Sequence, residues 1–208
     1  MLYVDDAMLV LDKPAGLLSV PGRGEDKQDC LSARAQRLYP DALVVHRLDM
    51  ATSGLMVLAL GAIAQRTLNH AFASRSVTKR YIAIVHGHLA PSSETWGIID
   101  LPIAADWPNR PLRVIDYQSG KASLTRWRVL SHNVPDNTTR VELEPVTGRS
   151  HQLRVHLLAL GHPIVGDALY GNLRIAASTN RLLLHARSLE LSHPVTTKPM
   201  HFLSTECF

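Results

Sequence analysis

The 208-residue chain has 46% hydrophobic residues, which is enough to bury the core of one compact domain or of a domain in two lobes. Its two cysteines, Cys30 and Cys207, exclude a disulfide framework and a paired-cysteine zinc site. No apolar run approaches the roughly twenty residues of a membrane-spanning helix, and acids stand near the start where a secretory signal needs bases, so a cytoplasmic protein with no membrane partner is expected. The net charge of +4 suits a polyanionic partner without requiring one.

From the N-terminus, LYVDDAMLVLDK predicts two short strands joined by a turn at Asp5 and Asp6, followed by the Pro/Gly loop PAGLLSVPG. DCLSARAQRLYP predicts a helix with Asp29 as N-cap, Leu31, Ala35 and Leu38 on one face, and Pro40 as the stop. VVHRLDMATSG reads as a strand end and a loop. LMVLAL is continuously apolar; its shortness favours a strand buried on both faces, although its periodicity also fits a buried helix. AIAQRTLNHAFASR has the spacing of an amphipathic helix, and KRYIAIVHG that of a strand with Tyr81, Ala83 and Val85 on one face and Gly87 at its end.

Residues 96–144 are punctuated by DWPNRP, SGK and VPDNTT and predict several short strands joined by turns. GRSHQLRVHLLALG predicts a helix capped by Ser150, with Leu153, Leu157 and Leu160 as its apolar stripe and Gly161 as terminator. RLLLHARSLELSHP and MHFL close the chain as strands. Helices scattered among hairpin-like strands argue for an α+β fold with a mixed, largely antiparallel central sheet and flanking helices. Residues 107–111 are the one hinge candidate, and residues 1–208 are expected to form a single domain.

HRLDMATSGLMVLAL sets one acid, Asp49, at the mouth of the buried strand. Gly54 admits backbone angles closed to other residues, and Thr52 and Ser53 can bond their own backbone, so the chain can turn sharply there and hold Asp49 at a rigid rim. On local grounds this Asp serves equally well as a turn cap. An arginine would keep such a carboxylate charged while partly dehydrated. Arg47 lies two positions away, and Arg154 lies in an otherwise largely apolar helix where an unpaired cation is very costly, so Asp49 is its expected partner.

HRLDMATSG resembles the HRLDxxTSG signature of the RluA class of pseudouridine synthases. DKPAGLLSVPG resembles that class's KPxG motif, KRYIAIVHG the strand bearing its active-site tyrosine, TGRSHQLRVHLLALGHPIVGD its GRxHQxRxH segment, and RLLLHA its last motif, all in the family's order. The resemblance implies the pseudouridine synthase catalytic fold and an isomerase that flips uridine from RNA, with Asp49 as nucleophile or general base. It implies Tyr81 as the ring stacked on the uracil and a candidate for taking the C5 proton, and Arg154 as the partner of the carboxylate. Arg47 is implied to fill the gap left by the flipped nucleotide and His46 to order the RNA beside it. The same motifs make Thr52, Arg149, His151 and Gln152 candidate substrate contacts.

The implied chemistry breaks the N1–C1′ bond of uridine, rotates the base and joins C5 to C1′, with no electron transferred. A carboxylate can act by adding to C1′, by adding to C6, or by taking the C2′ proton. No cofactor is expected. No metal is expected either, because His151, His156, His162, His185 and His193 lack HExxH-like or paired-cysteine spacing. Arg23, Lys79, Arg80, Arg110, Arg113, Arg126, Arg128 and Arg149 are candidate phosphate contacts.

Within the class, LLSVPGR, HRLDMATSG and DWPNRP look most like members that modify both 23S ribosomal RNA and a tRNA anticodon stem-loop, so these RNAs are the expected partners of a monomer. The sequence starts almost at the first catalytic strand, with no room for the small S4 RNA-binding domain of many relatives, which leaves recognition to the catalytic domain. The alternatives are a single-substrate synthase and a non-catalytic RNA-binding protein that keeps the fold.

Overall fold

Asp5 turns the chain between its first two strands: Oδ1 accepts hydrogen bonds from the backbone N–H of Ala7 at 2.8 Å and of Met8 at 2.9 Å. The computed structural model describes residues 1–177 and 179–208. In chain order the elements are β1 (Tyr3–Val4), β2 (Met8–Lys13), α1 (Leu31–Gln36), β3 (Ala42–Val44), β4 (Ser53–Leu60), α2 (Gly61–Ala73), β5 (Thr78–His86), β6 (Gly97–Asp100), β7 (Ile103–Ala105), β8 (Arg113–Ile115), β9 (Leu124–Asn133), β10 (Thr138–Pro145), α3 (Gln152–Ala159), α4 (Leu173–Ala176), β11 (Leu184–Ser192) and β12 (Pro199–Leu203). The fold is α+β, with mixed, largely antiparallel strand pairing and few helices. Among the described residues, no helix is long and apolar enough to cross a membrane.

The chain divides into two compact units, Met1–Lys79 with His185–Cys207, and Arg80–Leu184 with Phe208. The crossings fall at 79/80, 184/185 and 207/208; residues 107–111, the expected hinge, lie between β7 and β8 inside the second unit.

In the first unit β4 pairs antiparallel with β2 and β3 and parallel with β11, which in turn pairs with β12. The strand LMVLAL is apolar at every position because both of its faces are covered. Leu55, Val57 and Ala59 join Met8 and Val10 against Ala64 and Leu68 of α2, while Met56 and Leu58 join Leu9 against Leu31 and Ala35 of α1. This layering is the physical reason the segment lacks polar alternation.

In the second unit β5, β10, β9 and β6 pair antiparallel in that order, and β7 pairs with β8. Ile82, Ala83, Val85, Val141, Leu143 and Trp127 are buried on these strands. Tyr81, half-buried, stands opposite Leu143.

Three local expectations are corrected. Helix α1 is capped by Cys30, whose extended backbone brings Sγ to 3.4 Å from the Ala33 N–H, while Asp29 forms a two-pronged ion pair with Arg34 at 2.6 and 2.7 Å. Leu38 lies beyond the end of that helix and is exposed. Helix α3 begins after His151, which adopts a left-handed conformation (φ 58°), and not at a Ser150 cap. Its residues 152–157 are all buried, so polar positions as well as leucines face the interior.

Candidate active site

The turn bearing Asp49 is anchored on both flanks by the KPAG segment and its continuation. The fully buried Lys13 ammonium donates to the carbonyls of Pro14, Leu17 and Met50 at 2.9, 2.7 and 3.0 Å, and the Gly16 N–H also reaches the Met50 carbonyl at 2.9 Å. On the other side of Asp49, the Ser19 hydroxyl donates to the Leu48 carbonyl at 2.6 Å and accepts from the Leu48 N–H at 3.1 Å. Ser19 is itself tied to α1, because its carbonyl accepts from the Ser32 N–H at 3.2 Å. The Thr52 N–H closes the turn on the Asp49 carbonyl at 3.1 Å. Asp49 is thus a half-buried carboxylate whose sequence neighbours cannot drift, while Arg47 beside it is exposed.

The turn enters β4 through Gly54, whose φ of +109° is closed to other residues and whose place a Cβ would contest with the Ala186 backbone. His46 supports the turn from below. Its Nε2 accepts from the Val57 N–H at 3.0 Å and its ring stacks on Phe72 with centroids 4.4 Å apart. Loss of hydration, and then the charge of Lys79, lowers its pKa to about 3, so the ring stays neutral with Nδ1 protonated. Burial lowers the pKa of Lys79 as well.

In the second unit Arg154 and Asp167 form a buried pair, with Nε to Oδ2 at 2.7 Å and Nη2 to Oδ1 at 2.5 Å. Asp167 Oδ1 also accepts from the Leu169 and Tyr170 N–H groups. The Tyr170 ring lies 5.0 Å from the Arg154 guanidinium, a cation–π contact, and its hydroxyl accepts from the Arg113 N–H at 2.8 Å and meets His151 Nδ1 at 2.7 Å. Gln152 is buried with its amide occupied: Oε1 accepts from Thr147 Oγ1 and the Arg149 N–H, and Nε2 donates to the Leu124 carbonyl and Thr125 Oγ1. It thereby shapes the loop that presents the exposed Arg149.

A family model described as RNA pseudouridylate synthase matches residues 7–159. The chain belongs to this family. The enzyme is 50% identical over 202 residues to the dual-specificity RNA pseudouridine synthase RluA of Escherichia coli K12, covering 97% of this chain and 90% of that protein. Identity to the Haemophilus ducreyi protein of the same name is 45% over 207 residues, covering 100% of this chain and 93% of that one. Among solved structures, Human RNA Pseudouridylate Synthase Domain Containing 1 matches with a TM-score of 0.80 at 32% identity, covering 99% of this chain and 82% of that one. Human RNA Pseudouridylate Synthase Domain Containing 4 matches with a TM-score of 0.74 at 28% identity, covering 98% and 87%. The chain is an RNA pseudouridine synthase, an isomerase.

In this synthase, His46, Arg47, Asp49 and Thr52 share one turn of the first unit, whereas Arg149, His151, Gln152 and Arg154 share one segment of the second, which also carries Tyr81. The partnership of Arg154 with Asp167 escaped sequence reasoning, as did the work of Lys13; the acid in VGD and the lysine in KPAG were the available signals. Three candidate phosphate contacts, Arg80, Arg126 and Arg128, pair with Glu142 and Glu144, and all three lie within about 5 Å of the Trp96 ring. The two carboxylates balance two of the three positive charges, so these arginines are held in an internal network on the strand surface. Arg110 stacks over the exposed Trp107 at 4.3 Å.

Proposed function

We propose that the enzyme isomerises specific uridines in both 23S ribosomal RNA and a tRNA anticodon stem-loop, acting as a cytoplasmic monomer in which residues 1–208 work as one catalytic domain. Asp49 is the catalytic carboxylate, Tyr81 stacks on the flipped uracil and is the candidate acceptor of the C5 proton, and Arg154 keeps Asp49 charged. Arg47 fills the gap in the RNA stack, and Arg149 and His151 meet the substrate. His46, Thr52 and Gln152 act behind these groups, in keeping with the internal bonds of His46 and Gln152 and the burial of Thr52 and Gln152.

The observation that carries the assignment of Asp49 is the anchoring of Leu48 and Met50 by Ser19, Gly16 and Lys13, which supports a carboxylate held for attack on one bound nucleotide. Fixing the carboxylate in advance removes a positioning cost from the reaction. Extrusion of the uridine costs a few kcal/mol, least in loops already partly unpaired, which favours a compact hairpin substrate. The assignment of two RNAs draws its support from 50% identity to relatives named as dual-specificity enzymes.

Pseudouridine mapping in ribosomal RNA and tRNA from a strain lacking the gene tests it. Loss of modification in both RNA classes, restored by the parent gene, is expected. Loss in only one class makes this a single-substrate synthase.

A further inference from the structure

Beneath the exit of the Asp49 turn, three buried side chains and one carboxylate of the first unit form a hydrogen-bonded row. Ser53 Oγ lies 2.8 Å from His185 Nδ1, His185 Nε2 lies 3.0 Å from Ser204 Oγ, and Ser204 Oγ donates to Asp12 Oδ2 at 2.7 Å. The row joins the starts of β4 and β11, the residue after β12 and the end of β2. Nothing in the proposed reaction uses it.

The direction of the row follows from its carboxylate end. Asp12 only accepts, so the single hydroxyl hydrogen of Ser204 points to it. Ser204 Oγ therefore receives its other bond from His185 Nε2–H, which leaves Nδ1 bare. The bare Nδ1 takes the Ser53 hydroxyl hydrogen. One residue further on, Gly54 packs against the Ala186 backbone in the same parallel register. Lys13, Gly16 and Ser19 secure the flanks of Asp49, and His185 secures the place where the turn joins the sheet.

We propose that His185 is a positioning residue for the isomerisation: through Ser53 it holds the exit of the Asp49 turn, in the one tautomer that Ser204 and Asp12 impose. The inference rests on Asp49 being the catalytic carboxylate. A displacement of about 1 Å at a reacting group can cost about a hundredfold in rate, so releasing Ser53 lowers kcat while leaving RNA binding to surfaces elsewhere.

Two near-isosteric variants separate the two ends of the ring. In His185→Asn, Oδ1 replaces the Nδ1 acceptor and keeps Ser53 but loses Ser204. In His185→Gln, the longer amide reaches Ser204 but loses Ser53. Tritium release is measured on [5-³H]uridine-labelled RNA from cells lacking the gene, with rates normalised to the folded fraction. His185→Gln and Ser53→Ala are expected to lower kcat about 10- to 100-fold with apparent KM within about 2-fold, and their double variant to be no worse than either. His185→Asn is expected to stay within about 3-fold of the parent.

Equal losses in the Asn and Gln variants, losses confined to KM, or lower melting temperatures with kcat intact would each overturn the inference. Asp49→Asn runs as the control. If it turns over at the parent rate, the assignment of Asp49 fails and this inference with it; if it is inactive while Ser53→Ala and His185→Gln match the parent, only the role of His185 fails.

Discussion

Asp167→Asn probes the buried pair that organises Arg154. The native carboxylate meets the guanidinium through two bonds, with side-chain exposures of 5% for Arg154 and 0% for Asp167. Asparagine keeps one oxygen for the Leu169 and Tyr170 N–H groups but turns an N–H₂ toward a donor of Arg154, so one bond becomes a donor–donor opposition and the negative charge of Asp167 is lost from the pair. Removing one partner of a buried pair costs about 3–5 kcal/mol, and the retained oxygen puts this case near about 3 kcal/mol. For a chain of this size that corresponds to about 6–12 °C in Tm.

All three tryptophans, Trp96, Trp107 and Trp127, lie in the second unit, so urea unfolding followed by their emission reports on the part that holds the pair. The midpoint should fall with the slope unchanged. Asp136→Asn, which alters an exposed contact with Asn133 in the same unit, should leave the midpoint in place. A loss below about 1 kcal/mol for Asp167→Asn would refute the claim that this carboxylate compensates Arg154.

The His46 ring titrates near 6.5 when unfolded and about 3 when folded, so the unfolded state binds more protons and stability drains away as pH falls from 6.5 toward 3. His46→Gln, which keeps an acceptor for Val57, should flatten the stability profile between pH 7 and 4; equal slopes in urea titrations would contradict this. Lys13→Met strands the Pro14 and Leu17 carbonyls and loosens Met50, for an expected loss of at least about 2 kcal/mol and about tenfold or more in kcat per folded molecule. Parent kcat in that variant would show that Asp49 needs no such anchor. Tyr170→Phe keeps the ring over Arg154 but leaves the Arg113 N–H without its acceptor, an expected cost of about 1–2 kcal/mol by the same urea assay, and no change would count against it.

Strands and helices were legible where burial follows a regular pattern. LMVLAL reads as a doubly buried strand because α1 and α2 cover its two faces, and α2 shows its amphipathic period. Helix α3 defeated the stripe reading because each of its buried polar residues has a distant partner, with Arg154 on Asp167, Gln152 on Leu124 and Thr125, and His156 on Thr125. Local periodicity carries no record of such pairing.

The arginine network could have been found in the sequence: Arg126 and Arg128 alternate on one strand as Glu142 and Glu144 do on the next, and opposite charges in that register pair across a hairpin. Lys13 could not. A lysine reads as solvated until its three carbonyl acceptors are seen. The motif segments pointed to Asp49, Tyr81 and Arg154, but what anchors the Asp49 turn and Arg154 lies in contacts formed only on folding.

The account stands or falls on the carboxylate of Asp49. Asp49→Asn preserves the shape of the side chain and removes its charge, and tritium release from [5-³H]uridine in RNA, measured beside RNA binding by the same preparation, reads the two consequences separately. Turnover lost with binding retained is the predicted result. Release at the parent rate would mean that the isomerisation runs on some other group.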